Sequence, residues 1–108
     1  MNTGDIVLIP FPFSELSEVK LRPAVVVAKT KDKYKDLVLS AVSSQIPVSL
    51  SPAEILLKPD AANGLRTESV IKVDRIFTLK AEKVIAKIGK LSPSQLVTFK
   101  LIFRGLVD

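Results

Sequence analysis

The chain has 108 residues, of which 47% are hydrophobic and 25% are charged, a composition that is typical of one soluble globular domain and excludes a disordered chain. It contains neither cysteine nor histidine, which excludes disulfides, thiolate nucleophiles, imidazole acid–base catalysis and the usual zinc sites. The net charge of +5 favours a polyanionic partner. With no signal peptide or membrane-spanning run recognisable, we predict a cytoplasmic protein with a single domain, residues 1–108.

The N-terminal segment predicts a short strand followed by a loop. Residues 6–9 form an apolar run that is typical of a buried strand, and the alternating prolines of residues 10–13 predict its end. We expect residues 11–21 to form a loop. In it, Phe11 and Phe13 either fold back onto the core, as we expect for at least one of them, or stack on bases.

Further strands follow, and one segment is ambiguous. Apolar and β-branched runs predict strands at residues 23–30, 36–43, 53–57 and 69–79, the last one bent near Asp74. Residues 80–91 fit either a helix, from the spacing of their apolar residues, or a strand, because Gly89 and β-branched side chains interrupt the helical pattern.

The last element is predicted to be a helix. Ser92 is a suitable N-cap, Pro93 suits the first helical position, and Gln95 completes a capping box. The apolar residues that follow have helical spacing, namely Leu96, Phe99, Phe103 and Leu106. A run of strands and then a helix predicts a mainly β protein, a small antiparallel barrel with a helix packed on it.

Residues 20–29 contain the first candidate site. Pro23 opens the second predicted strand and holds Arg22 extended, because proline disfavours the helical region for the residue before it. A guanidinium at the start of a rigid strand is well placed to bind an anion, although a solvated strand-end charge is the simpler interpretation. Lys20 adds a second cation at the same end.

A second group of polar side chains follows the third predicted strand. Ser43, Ser44 and Gln45 either donate hydrogen bonds to an anion or simply form a turn. The basic residues also fall into two clusters, within residues 20–35 and 72–90. Each cluster is either a solvated face or a nucleic-acid contact.

Several of these motifs occur in the order found in one protein family. They are Gly-Asp-Ile-Val at 4–7, Leu-Arg-Pro-Ala-Val-Val-Val at 21–27, Val-Ser-Ser-Gln at 42–45, Gly-Leu at 64–65 with Ser-Val at 69–70, Val-Asp-Arg-Ile-Phe-Thr-Leu at 73–79, and Ile-Gly-Lys-Leu at 88–91. Together they resemble the MazF/PemK (Kid-like) toxins of type II toxin–antitoxin systems. The resemblance implies an SH3-like barrel of the CcdB/MazF kind and a homodimer. It also implies a metal-independent, cofactor-free endoribonuclease that a cognate antitoxin inhibits by occupying the groove for single-stranded RNA.

The resemblance also implies the site residues. The family's catalytic arginine before proline corresponds to Arg22, and its catalytic threonine corresponds to Ser43, which keeps the hydroxyl. Phe77 stands where the family often has an arginine, and Arg75 lies two residues earlier, on the same face of a regular strand. We expect Arg75 to contact RNA together with three residues near the catalytic pair, namely Lys20, Ser44 and Gln45.

RNA carries its own nucleophile, the ribose 2′-hydroxyl, so the protein needs only to position the phosphodiester and stabilise developing charge. Two other functions stay open. One is a CcdB-like toxin that grips a protein target through its C-terminal helix. The other is a non-catalytic barrel that binds nucleic acid through its lysines, with salt-dependent affinity.

Overall fold

The structure, a computed structural model, describes residues 1–12 and 19–108. Within these residues, six antiparallel strands form one sheet that curls into a half-barrel, and one helix follows it. The strands are β1 (Asp5–Pro12), β2 (Val19–Lys29), β3 (Leu37–Ser43), β4 (Glu54–Leu57), β5 (Ser69–Leu79) and β6 (Ala86–Lys90); the helix α1 spans Pro93–Gly105. Their order in the sheet is β4-β5-β3-β2-β1-β6. The predicted fold class, a mainly β barrel with a C-terminal helix, is confirmed.

The prediction that alternating prolines end the first strand is wrong. β1 continues through Pro10 and Pro12, which pair with Leu21 and Val19 of β2. β6 pairs with β1 only as far as Leu8, so beyond that residue β2 is the only described neighbour of β1. The two prolines present their missing N–H groups to the same edge, and an edge without a pairing partner tolerates this loss.

The prediction of a loop over residues 11–21 is wrong for the residues at both ends of this range. Phe11 belongs to β1, and residues 19–21 belong to β2. Phe13 lies outside the described residues.

The long strand β5 is irregular close to Asp74, where the sequence predicts a bend. The pairing of β5 with β3 shifts register where Ser40 faces Ile76 and the next residue, Ala41, faces Lys72. The buried Ser40 hydroxyl donates a hydrogen bond of 2.9 Å to the carbonyl oxygen of Val73 inside this irregular stretch. The extra residues of β5 are therefore held in place by a polar contact within the core.

The ambiguous segment of residues 80–91 forms a 3-10 turn at Ala81–Lys83 and then the strand β6. Gly89 explains why its part of this segment forms a strand rather than a helix. A Cβ atom at Gly89 would overlap the carbonyl oxygen of Ala62 and the backbone of Asn63. The loop after β4 therefore packs directly against the β6 backbone, which requires the absence of a side chain at this position.

The helix α1 begins as predicted. Ser92 Oγ accepts a hydrogen bond of 3.2 Å from the Gln95 amide, and the Gln95 side chain accepts one of 2.8 Å from the Ser92 amide. Phe99 is fully buried, and Leu96 and Phe103 are partly buried against the core. Leu106 is 39% exposed at the helix end, so the packed stripe ends earlier than its spacing predicts.

The sheet is covered on both sides by apolar clusters. One cluster contains Ile6, Val25, Val42, Leu57, Ile71, Val73, Leu91 and Phe99, and the other contains Val7, Ile9, Ala24, Val26, Leu37 and Leu39. Val25 and Val26 are neighbours in β2 yet belong to different clusters, because successive side chains of a strand point to opposite faces. Burial on both faces explains the continuous apolar sequence of β2. In the described part of the chain, no helix has the length and apolar character needed to span a bilayer.

A matched pair of glycine substitutions tests the contact at β6. We expect Gly89→Ala to lower the free energy of unfolding by about 1–3 kcal/mol, because the added methyl group overlaps backbone that is not free to move away. Gly105→Ala is the control: a Cβ there meets nothing within 4 Å, and alanine favours the helix. Urea unfolding of both variants measures the difference, and equal stabilities would contradict the close packing.

Candidate functional site

One cleft lies where the start of β2, the end of β3 and the loop between β4 and β5 come together. Its volume is about 610 Å³. Three cationic and three hydroxyl side chains form its polar lining, namely Lys20, Arg22, Arg66, Ser44, Thr67 and Ser69. No described carboxylate lines it, and the rest of the lining is apolar side chains and one glycine, namely Leu8, Leu21, Pro23, Val42, Gly64, Leu65 and Ile88. A concave surface with cations and hydroxyls but no acid suits a bound anion.

The register of β1 against β2 positions Arg22. The prediction that Pro23 opens this strand is wrong, because β2 begins at Val19 and Arg22 lies inside it. Arg22 pairs with Ile9, and the following Pro23 pairs with Leu8. Arg22 is half-buried, and its guanidinium carbon lies 5.6 Å from the centroid of the Phe11 ring. A cation–π contact of this kind limits the orientations of the guanidinium group. The structure therefore places Arg22 and Lys20 together in the lining of the cleft.

Phe11 lies on the surface. Its side chain is 37% exposed and belongs to neither apolar cluster, so it does not fold back onto the core. Its ring instead contacts Arg22 at the edge of the cleft.

The end of β3 contributes one of its three polar residues to the cleft. Ser44 belongs to the lining, whereas Ser43 and Gln45 do not. The Ser43 hydroxyl oxygen accepts a hydrogen bond of 3.1 Å from the Gln45 amide, which is the turn-forming arrangement. Because a serine hydroxyl that accepts a hydrogen bond keeps its own proton to donate, Ser43 retains one donor.

Arg75 lies outside the cleft. It is exposed in the irregular stretch of β5, whereas Phe77, two residues later, is half-buried against the second apolar cluster. Arg75 and Phe77 therefore have different surroundings, although a regular strand would give them one face. The nearby cation Lys72 does not line the cleft either, and its ammonium group forms an ion pair of 3.0 Å with Glu54.

Sequence reasoning missed the residues that the β4–β5 loop contributes to the cleft, Arg66 and Thr67, and the first residue of β5, Ser69. Ser69 is buried and donates a hydrogen bond of 3.0 Å to the carbonyl oxygen of Thr67. Arg66 follows a turn, in a stretch without helical or strand periodicity, so no local sequence pattern identifies it as a binding residue. The Gly64-Leu65 pair before it is the only nearby signal, and it indicates a turn rather than a binding residue.

Asn63 holds this loop in place. Its side chain is completely buried; the carbonyl oxygen accepts hydrogen bonds from the amides of Asp60 (3.1 Å) and Leu65 (3.0 Å), and the amide nitrogen donates to the carbonyl oxygen of Lys58 (2.8 Å). Gly64 has a φ of +69°, and a Cβ there would overlap the Ile88 carbonyl group. Both residues are therefore needed to bring the loop onto β6.

Two solved structures have a fold similar to that of this chain. One, titled an endoribonuclease in complex with its cognate antitoxin from a mycobacterial species, has a TM-score of 0.73 and 13% identity over 97% of this chain and 92% of that chain. Another, the Mycobacterium tuberculosis toxin MazF-mt6, has a TM-score of 0.69 and 17% identity over 96% of both chains. At these identities the similarity concerns the fold. A comparison with curated proteins gives no match.

The fold is thus shared with both of these structures. A family model for the PemK-like, MazF-like toxins of type II toxin–antitoxin systems matches residues 2–102. The chain belongs to this family, as the sequence motifs predict.

We expect Asn63→Ala to destabilise the protein by about 2–3 kcal/mol, because two amides and one carbonyl group lose their partner in a buried site. The exposed Asn2→Ala is the control, since no hydrogen bond of the Asn2 side chain to a described residue is removed. Thermal unfolding checks the difference. A melting temperature for Asn63→Ala equal to that of the control would show that the loop does not depend on this side chain.

Proposed function

We propose that this protein is an endoribonuclease that cleaves single-stranded RNA without a metal ion or cofactor. One observation supports this most strongly: the cleft brings Arg22, Lys20 and Arg66 together with hydroxyl side chains and without a described carboxylate. This lining suits a phosphodiester, whereas the hard-cation sites of metal nucleases are built from carboxylates. Membership of the toxin family supports the same activity.

The proposed reaction uses the substrate's own nucleophile. The ribose 2′-hydroxyl gives its proton to solvent, and its oxygen forms a bond to the adjacent phosphorus. The bond from phosphorus to the 5′-oxygen of the next nucleotide breaks, and that oxygen takes up a proton from solvent. The products are a 2′,3′-cyclic phosphate and a 5′-hydroxyl end. Catalysis then consists of aligning the reacting atoms and stabilising the charge on the phosphorane oxygens.

Arg22 is the proposed catalytic cation. Its planar fork of N–H donors matches two phosphate oxygens, and the Phe11 contact limits the orientations that must be given up on binding. We assign the second donor to the Ser43 hydroxyl on the basis of the family resemblance. Ser44 and Lys20 bind the RNA from the cleft lining, and Gln45 and Arg75 contact it from outside the cleft.

The antitoxin and a second copy of the chain are the proposed protein partners. An antitoxin segment that occupies the same cleft would exclude RNA by competition. The homodimer is proposed on the basis of the family resemblance.

The activity is tested with Arg22→Ala and Ser43→Ala, with Arg104→Ala on α1 as a control for the loss of one positive charge. We expect wild type and the control to cleave a long RNA at the same rate with a chelator present, leaving cyclic phosphate ends. Arg22→Ala and Ser43→Ala should each be slower by roughly 100-fold to 1000-fold, the usual cost of one oxyanion donor. Cleavage by Arg22→Ala at the wild-type rate, or a requirement for magnesium, would contradict the proposal. RNA binding without any cleavage would favour the non-catalytic barrel.

Arg66 and Arg75 have different expected effects because only Arg66 lines the cleft. We expect Arg66→Ala to raise KM about tenfold with a smaller change in kcat, since a cation that holds a flanking phosphate acts in the ground state as well as in the transition state. Arg75→Ala should change KM less. Steady-state cleavage of a fluorescent RNA measures both. A larger effect at Arg75 than at Arg66 would move the RNA path away from the cleft.

A further inference from the structure

A second basic surface lies at the far end of β2. We call residues 29–36, which connect β2 to β3, the basic hairpin. It contains four lysines and two aspartates, and the lysines Lys29, Lys31, Lys33 and Lys35 are all exposed. None of the four forms an ion pair with a described residue. Their charge is thus turned towards solvent.

Asp32, the acidic residue at the centre of the basic hairpin, accepts hydrogen bonds from other residues of the hairpin. The Thr30 hydroxyl donates a hydrogen bond of 2.8 Å to Asp32 Oδ1, and the Tyr34 amide donates one of 3.1 Å to the same oxygen. The hydrogen bond from Thr30 lowers the pKa of Asp32, so this carboxylate stays ionised and engaged. The Asp36 amide closes the hairpin by donating to Thr30 Oγ1 at 2.9 Å. The lysines are therefore presented on a loop of defined shape.

The basic hairpin also contains one aromatic residue, Tyr34, between Lys33 and Lys35. Tyr34 is 67% exposed, and the Lys33 ammonium group lies 5.3 Å from the centroid of its ring. A basic loop with an exposed aromatic side chain is the combination by which proteins hold single-stranded nucleic acid, since the lysines bind phosphates and the ring stacks on a base.

An open depression of about 570 Å³ adjoins the basic hairpin. The residues around it include Met1, Asn2, Lys29, Lys31 and Lys35. No described carboxylate is part of this lining. The depression and the hairpin together form one surface that is suited to a chain of phosphates.

The distance from the cleft makes this surface separate from the proposed catalytic site. Arg22 and Lys29 belong to the same strand, and the rise of a strand puts their Cα atoms roughly 23 Å apart. An RNA bound at both places must therefore extend well beyond the nucleotides at the scissile bond.

We propose that the basic hairpin is a second RNA-binding surface, which holds the backbone of single-stranded RNA at a distance from the cleft. The proposal rests on the endoribonuclease function proposed above. An acidic protein segment would also satisfy the lysines, but it would leave the exposed Tyr34 ring without a partner that stacks. RNA fits both features.

The test measures binding of RNA with 2′-O-methyl groups, which cannot be cleaved. One oligonucleotide covers only the cleft, and a longer one reaches the basic hairpin. Lys31→Gln combined with Lys33→Gln is compared with Lys100→Gln combined with Arg104→Gln, which removes two charges from α1. We expect the hairpin variant to bind the long RNA five- to tenfold more weakly, with a salt slope that falls by about 0.7 for each phosphate that the protein no longer neutralises. The short RNA should bind it as it binds the control.

Tyr34→Leu provides an independent arm that leaves the charge unchanged. We expect it to weaken binding of the long single strand about fivefold or more and to leave binding of a duplex unchanged, because the bases of a duplex are not free to stack on the ring. Thermal unfolding of each variant confirms that its fold is intact.

The possible results separate the two proposals. Equal losses in the hairpin and α1 variants would show that only net charge matters and would overturn the inference. An unchanged affinity for RNA with a reduced affinity for a polyglutamate peptide would make the hairpin a protein-binding surface, which also overturns it. Normal cleavage of short RNA with no effect of the hairpin changes on long RNA refutes the second surface alone. Failure of wild type to bind any RNA refutes both proposals.

Discussion

The packing of the β4–β5 loop against β6 is the contact on which the candidate site depends. β4 and β6 lie at opposite edges of the sheet, and this contact joins the two ends of the curled structure. The Lys90 amide donates a hydrogen bond of 3.0 Å to the Ala62 carbonyl oxygen, and two glycines allow the backbones to touch. The buried Asn63 side chain supplies the hydrogen bonds that the loop backbone would otherwise lack.

This contact explains how cations from distant parts of the chain share one cleft. Arg22 belongs to β2, which lies inside the sheet, whereas Arg66 belongs to the loop that packs against the edge strand β6. Arg22 is half-buried and Arg66 is exposed. The two guanidinium groups contribute positive potential to the cleft, and the net charge of +5 strengthens it.

The sequence predicts most of the local structure, but it predicts little of the contact that joins the two edges of the sheet. The apolar runs predict the strands, and the Ser92 capping box predicts the helix. These features depend on neighbours in the chain. Arg66 and the strand at 86–90 depend on the contact between sheet edges, which no periodicity encodes. The continuation of β1 through Pro10 also follows from where β6 ends, a fact of tertiary structure.

The claim that this contact between the sheet edges creates the RNA site can be tested by an NMR titration of the uniformly ¹⁵N-labelled protein with 2′-O-methyl single-stranded RNA. We expect the largest amide shift changes on the two walls of the cleft, at residues 20–22 and 44 on one side and 64–67 on the other. Changes concentrated on α1, with both walls of the cleft unaffected, would contradict it.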